Sequence, residues 1–255
     1  MLLAIDVGNT QTSIGMFRDE ELVESWRLAT DPEATADKLA TDLASLLALR
    51  DLRLRDVDAA IVSSVVPTLV HEFELFSERY FEGALAVVAP GLKVGMPIRM
   101  DNPREVGADR IVNAVAAYDR FAGACISVDF GTTINYDVVS ADGEYLGGVI
   151  APGVEISIEA LSTRAARLFK IDLEAPEAVI GKSTQAALQA GVIYGFAGQV
   201  DGIVGRLREA LGEEAAAIAT GGLAEPIVPF CEQIDEVDDS LTLTGLRLIW
   251  ERNRP

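Results

Sequence analysis

The sequence predicts an α/β protein built twice over, with two mixed sheets, flanking helices and a central ligand cleft. Three observations carry this prediction. Apolar strand runs alternate with helical stretches along the chain. The first half opens on an apolar run, an Asp-x-Gly turn and two further strands. The same order returns at residue 125, where Asp129-Phe130-Gly131 lines up with Asp6-Val7-Gly8. Two similar halves can face each other and present both turns to one ligand.

Leu2–Val7 is a short apolar run ending at Gly8, and Ser13–Phe17 and Leu22–Leu28 read as two more strands joined by tight turns. Pro32 opens a helical stretch in which Leu39, Leu43, Leu46 and Leu47 recur at helical spacing. Asp58–Val66 reads as a buried strand closed by Pro67. A helix through Phe73 and Phe76 follows, then a strand at Leu85–Val88. Pro103 and Gly107 precede a helix whose face carries Ile111, Val115 and Tyr118. From Cys125 the strands CISVDFG, NYDVVS and EYLGGVIAPG repeat the opening order. A long helix at Lys182–Arg208 and a strand at Ile218–Leu223 follow. The boundary between halves is expected at Arg120–Ala124, dividing the chain into residues 1–120 and 121–255.

Composition excludes several classes. The 255 residues are 49% hydrophobic and 24% charged, which is globular rather than disordered. A net charge of -19 argues against a nucleic-acid binder, which needs a basic footprint. It leaves nucleotide substrates open, because backbone amides and cations hold phosphates on acidic proteins. Cys125 and Cys231 form no Cys-x-x-Cys pair and are expected as buried free thiols in a reducing cytoplasm. The single histidine, His71, stands among Glu72, Glu74 and apolar residues and is expected on a surface helix. MLLAIDVGNT has no basic n-region, and no apolar run approaches ~20 residues, so neither a signal peptide nor a membrane span is expected.

Four segments carry chemistry. In DVGNTQTS, Gly8 permits a turn that side chains would block, and Asn9, Thr10, Thr12 and Ser13 supply neutral donors. Successive N–H groups in such a turn form an anion nest, beside which Asp6 can hold a phosphate-screening cation. DFGTTINYD repeats the logic with Asp129, Gly131, Thr132 and Thr133. Two aspartates converging on one phosphate chain repel each other unless a metal lies between them. The adjacent glycines of TGGLAE let backbone approach a flat ligand such as adenine. In NPREVGADR, Asp109 stands near the positive start of a helix and should stay ionised, and Arg110 can pair with an acidic substrate. A helix-capping Asp with a solvent-facing Arg is the plainer reading of that segment. GKST at Gly181–Thr184 imitates the end of a P-loop, but Pro176 stands where the earlier glycine is required. No Gly-x-Gly-x-x-Gly fingerprint occurs.

The two Asp-x-Gly turns with the late Thr-Gly-Gly resemble the phosphate and adenosine motifs of the acetate kinase, sugar kinase, Hsp70 and actin superfamily. That resemblance implies two ribonuclease H-like domains with ATP between them. More closely, the chain resembles the type III pantothenate kinases. The segments that carry it are IDVGNTQT, IVSSVVP, DNPREVGADRIVNAVAAY, VDFGTTINYDVVS, GGVIAPGVEISIEALSTRAARL, VIGKSTQAALQAGVIYGFAGQVDG, ATGGLA and LTLTGLRLIWERN. The resemblance implies ATP-dependent phosphorylation of pantothenate to 4'-phosphopantothenate. It implies an ATP loop at Asp6, Val7, Gly8, Asn9, Thr10, Gln11, Thr12 and Ser13, with Thr132 as a further ATP contact. Gly107, Ala108, Asp109 and Arg110, with Thr184, would bind pantothenate, and Asp109 is similar to the family's catalytic base. Asp129 matches the aspartate for a monovalent cation (K+ or NH4+), and Asp6 would meet Mg2+ partly through water. A cytoplasmic homodimer is implied as well.

Two positions depart from the family pattern. Met100 stands where many members place a substrate-contacting tyrosine, and Ile134 stands where a small hydroxyl residue is usual. Ile134 is expected to reshape the phosphate or cation pocket. Two other readings are a sugar or short-chain acid kinase and a non-catalytic regulatory protein on the same scaffold. The GADR and VIGKST segments weigh against the first. The presence of Asp6, Asp109 and Asp129 weighs against the second.

Overall fold

A computed structural model describes residues 1–164 and 172–254; the family-like sequence at 165–168 lies outside them. The chain forms two compact units. The first comprises Met1–Gly95, Asn102–Ala116 and Thr242–Pro255, and the second Met96–Asp101 and Ala117–Leu241.

In the first unit, strands β1 (Leu2–Val7), β2 (Gln11–Arg18) and β3 (Glu21–Ala29) form an antiparallel meander. Strand β4 (Ala59–Ser64) adds parallel to β1, and β5 (Ala84–Val87) adds parallel to β4. The sheet order is β3-β2-β1-β4-β5. Alternation gives β1 two different faces. Leu3, Ile5 and Val7 pack under helices α1 (Ala36–Ala48) and α2 (Pro67–Tyr80) with Leu43, Leu47, Leu69 and Phe73. Ala4 and Asp6 belong to the opposite face. There the final helix α6 (Leu241–Asn253) approaches so closely that a Cβ on Gly15, the partner of Ala4, would lie 2.9 Å from Leu243 Cδ1. Helix α6 also meets helix α3 (Ala108–Phe121) backbone to backbone: a Cβ on Gly245 would lie 2.2 Å from the Val112 carbonyl oxygen. This packing goes with the C-terminal helix lying in the first unit.

The second unit repeats the plan. Strands β6 (Cys125–Phe130), β7 (Thr133–Val139) and β8 (Tyr145–Pro152) form the meander, and β9 (Ala216–Thr220) and β10 (Glu236–Val237) continue it in parallel. The order β10-β9-β6-β7-β8, read backwards, matches the first sheet strand for strand. The duplication inferred from the two Asp-x-Gly turns is therefore a duplication of topology. Helices α4 (Val154–Arg164) and α5 (Thr184–Leu211) belong to this unit, and Val192, Ile193, Ala197, Val200 and Val204 join its core.

Element ends differ from the sequence reading for local reasons. The first helix starts at Ala36 rather than Pro32, because Thr35 caps it by accepting from the Lys38 N–H, and Glu72 of α2 accepts from the Ala36 N–H at 2.7 Å. Strand β4 stops at Ser64, whose hydroxyl accepts from the Val66 N–H and donates to its carbonyl, turning the chain before Pro67 opens α2. Strand β9 ends at Thr220 because Gly221 has φ +95°. The two-residue β10 carries no readable period. Among the described residues no helix is long and apolar enough to cross a membrane.

Candidate active site

In the first unit, Asp6 sits half-buried at the carboxyl end of the central strand. Its neighbour in β2 is Ser13 and its parallel partner in β4 is Ser63, so the three side chains share one face of the sheet. Ser63 is completely buried, and its hydroxyl has no hydrogen-bond partner among the described residues. Its place beside Asp6 depends on strand pairing, and only the Ser-Ser pair in IVSSVVP hinted at it. The following turn is tight. The Gly8 N–H donates to the Gln11 carbonyl at 2.9 Å, and a Cβ on Gly8 would lie 2.9 Å from that same oxygen. Strand β3 braces the turn, with the Thr30 N–H donating to the Thr10 carbonyl and the Thr12 and Thr30 hydroxyls 2.9 Å apart. Asn9, Thr10 and Gln11 are exposed, while Val7 is in the core, leaving only its backbone to meet a ligand.

The GADR segment forms the start of α3. Asn102 shapes the approach by accepting from the Arg104 N–H and donating to Glu105 at 2.6 Å. Asp109 lies in the helix's first turn, and its carboxylate folds back over Gly107, where a Cβ would come within 2.5 Å of Oδ1. Burial pushes the Asp109 pKa up. The Arg110 N–H, the Arg110 charge and its own N–H oppose that shift. Desolvation is the largest influence and outweighs these opposing interactions. Gly107, Ala108, Asp109 and Arg110 are all half-buried.

The second unit holds the counterpart. Asp129 ends β6, flanked by Asn135 in β7 and Thr220 in β9. Gly221 presses against it, since a Cβ there would lie 2.6 Å from Asp129 Oδ1 and 2.7 Å from the Phe130 backbone. The TGG turn and the DFG turn are therefore one packed unit. Thr132 is backed by Gly153, where a Cβ would lie 2.2 Å from the Thr132 carbonyl oxygen. Ile134 is not in a polar pocket. It pairs with Phe130, is completely buried, and belongs to the apolar core on the face away from Asp129. Thr133 and Asn135 take the polar face, joined by a 3.1 Å hydrogen bond. Met100 packs on β8, where a Cβ on Gly147 would lie 2.9 Å from its sulfur. Thr184 is the exposed first residue of α5, directly after the Ser183 cap. No strand precedes it within the described residues 172–183, so GKST is a helix cap rather than a P-loop.

The remaining candidates are structural. His71 is exposed and lies 3.6 Å from Glu74 on the same helix. Cys125 and Cys231 are free thiols pushed up to about 12 by burial, too high for a nucleophile at neutral pH. An apolar cavity of about 280 Å³ lies between α1 and the sheet, lined by Ile5, Val7, Ile14, Leu43 and Phe73 among others. It opens on the face opposite Asp6.

The family model for type III pantothenate kinase matches residues 2–206. A type III pantothenate kinase from Streptomyces avermitilis is 53% identical over 99% of this chain and 98% of its own length. One from Acidothermus cellulolyticus is 52% identical over the whole of both chains. Among solved structures, an inorganic polyphosphate/ATP-glucomannokinase from Arthrobacter aligns over 99% of both chains, with TM-score 0.52 and 15% identity. That likeness shows the fold: a duplicated ribonuclease H-like architecture.

The raised pKa of Asp109 has a thermodynamic consequence. The folded state favours the protonated acid, so the ionised group costs stability at neutral pH. That cost disappears as pH falls and the group is protonated in both folded and unfolded states. Asp109→Asn should melt at or above wild type at pH 7, with the difference shrinking as the pH is lowered. A melt well below wild type at pH 7 would mean that the backbone hydrogen bonds to the carboxylate outweigh its burial.

Proposed function

The chain belongs to the type III pantothenate kinase family, and from that premise we propose how its residues divide the work of the reaction. The reaction is ATP-dependent phosphorylation of the primary hydroxyl of pantothenate to 4'-phosphopantothenate, the first step toward coenzyme A. The observation that carries the assignment of roles is Asp109, a carboxylate made more basic by burial and set at the start of a helix beside Arg110.

In our reading Asp109 accepts the hydroxyl proton while the pantothenate oxygen attacks the γ-phosphorus. The bond from phosphorus to the bridging oxygen breaks, and ADP leaves with the electron pair. Arg110 pairs with the pantothenate carboxylate. Gly107, Ala108 and Thr184 shape the rest of the pantothenate site. The turn from Asp6 to Ser13 receives phosphate oxygens on its N–H and hydroxyl groups, with Val7 contributing through its backbone, and Thr132 adds a second contact. Residues 1–120 thus supply the phosphate loop and the base. Residues 121–255 supply Asp129, Thr132, the Thr220-Gly221-Gly222 turn and α5.

The donor set suits Mg2+. Among the described residues no group of three or more acidic, His or Cys side chains could hold a metal ion, so a protein cage is not offered. Asp6, flanked by Ser13 and Ser63, would hold Mg2+ partly through water. When bound, Mg2+ neutralises charge on the phosphate oxygens. Asp129, with the oxygen-bearing side chains of Asn135 and Thr220 on either side, suits a hard monovalent cation such as K+ or NH4+. The free thiols fit a reducing cytoplasm.

The same reading includes a homodimer. Gly191, Gly195 and Gly198 form a ridge along α5, and a Cβ on any of them would meet nothing within 4 Å. Close packing inside the second unit therefore does not account for these glycines among the described residues. Exposed Ile150, Ile156 and Leu161 add apolar surface in the same unit. A smooth glycine ridge admits a second helix at close range. Light scattering should give twice the chain mass at micromolar concentration, and Gly195→Leu should shift it toward one chain. A fully active monomer would refute the dimer.

Two kinetic outcomes follow from the roles above. Asp109→Asn should lower kcat by ~10²–10⁴-fold, because the amide cannot take the proton, with ATP affinity nearly unchanged. A helix-capping role predicts little change, since Asn caps well. Turnover should be higher in K+ or NH4+ than in Na+, and Asp129→Ala should abolish that difference. Equal rates in Na+ and K+ would remove the cation assignment. Buried Ile134 is then no explanation for such a failure.

A further inference from the structure

Between Ile111 and Ala117, α3 is buried at every position, and Asn113 is the one polar residue in that run. It is 1% exposed. The hydroxyl of Thr242, in the first turn of α6, donates to Asn113 Oδ1 at 2.7 Å. The rest of this buried run is Ile, Val and Ala, and beside it Val112 meets the bare backbone of Gly245 with its carbonyl and its side chain. Apolar contact has no direction, so Val and Ala faces tolerate small rotations and slides of one helix on another. A directional hydrogen bond in the middle of such a face does not, and single buried amides set helix register elsewhere for this reason.

Asn113 lies four residues after Asp109, hence on the same face of α3 and one turn along. Side chains on a helix lean toward its N-terminus, so Asn113 leans toward the turn that carries Asp109. We propose that Asn113 is a positioning residue for the phosphoryl transfer: tied to Thr242, it fixes the rotation and register of α3 and thereby the place where Asp109 presents its carboxylate. The proposal rests on Asp109 being the base. It assigns Thr242 a role as well, although that residue lies 133 positions away in the sequence and outside the segments read as catalytic.

The test uses full-length enzyme, with kcat, both KM values and Tm measured for each variant. Thr242→Val keeps the side-chain shape and removes the donor; Asn113→Ala removes the acceptor. Each should lower kcat by about 10–100-fold, the scale of a roughly 1 Å misplacement of a reacting group, while KM for ATP stays within about twofold. The double variant should fall no further than Asn113→Ala alone, because Thr242→Val removes an interaction that Asn113→Ala has already removed. Thr242→Ser should restore kcat. Val112→Ala is the structural control: it should lower Tm at least as much as Thr242→Val while keeping kcat within about threefold of wild type. If Asn113→Ala does not fold, Thr242→Val and Thr242→Ser decide alone. Wild-type kcat in Thr242→Val overturns the proposal, as does an equal loss of kcat in Val112→Ala. Asp109→Asn, measured alongside, separates the two readings. Near-wild-type turnover there overturns the base assignment itself. An inactive Asp109→Asn beside an unaffected Thr242→Val overturns only the positioning role.

Discussion

A carboxylate at the end of a central strand, with backbone packed where a side chain would otherwise stand, is the constraint on which each unit is built. Asp6 and Asp129 occupy equivalent ends of β1 and β6. Each of those strands is antiparallel to one neighbour and parallel to the other, and that pairing puts a polar residue on both sides of the carboxylate. The neighbours are Ser13 and Ser63 in one sheet, Asn135 and Thr220 in the other. Gly8 then turns the chain against the Gln11 carbonyl, and Gly221 lies directly on Asp129. Leu3, Ile5 and Val7 in β1, and Ile126, Val128 and Phe130 in β6, pack into the core on the face away from the carboxylate, which ties its strand to the sheet.

Electrostatics explains why the donors around these aspartates are neutral. The protein carries a net charge of -19, and its co-substrate brings a triphosphate. Two unit charges 4 Å apart repel by about 4 kcal/mol at an effective dielectric near 20. Carboxylates therefore cannot bind phosphate directly, and in the proposed site the N–H groups and hydroxyls of the β1–β2 turn would meet the anion instead. In that proposal the oxygen-bearing side chains next to the aspartates would suit hard cations better than softer metals that favour sulfur or imidazole.

Much of this was legible in the chain because it is encoded locally. The Asp-x-Gly repeat announced the duplication. Short apolar runs located nine of the ten strands, and the GADR and VIGKST segments pointed to the family. What the sequence withheld depends on pairing and packing. Ser63 reaches Asp6 only because β4 lies parallel to β1 in that register. Ile134 looked like a change in a ligand pocket, but period-two alternation assigns it to the core with Phe130 and leaves Thr133 and Asn135 on the polar face. The return of α6 to the first unit follows from two glycines, Gly15 and Gly245, whose missing side chains make room for contacts far away in sequence.

Asp109 differs from the strand-end aspartates in the way it is held, and the difference bears on its chemistry. Asp6 and Asp129 are fixed by sheets and stand beside polar neighbours. Asp109 belongs to a helix start, where burial is the largest influence on its pKa and raises it. A base benefits from that shift, whereas a cation ligand benefits from staying ionised. The fold-back of its carboxylate over Gly107 leaves 2.5 Å for a Cβ that glycine does not have. A side chain at position 107 would make the Asp109 carboxylate shift from the place it takes over Gly107. The glycine of GADR thus leaves open the space over which the aspartate's carboxylate lies.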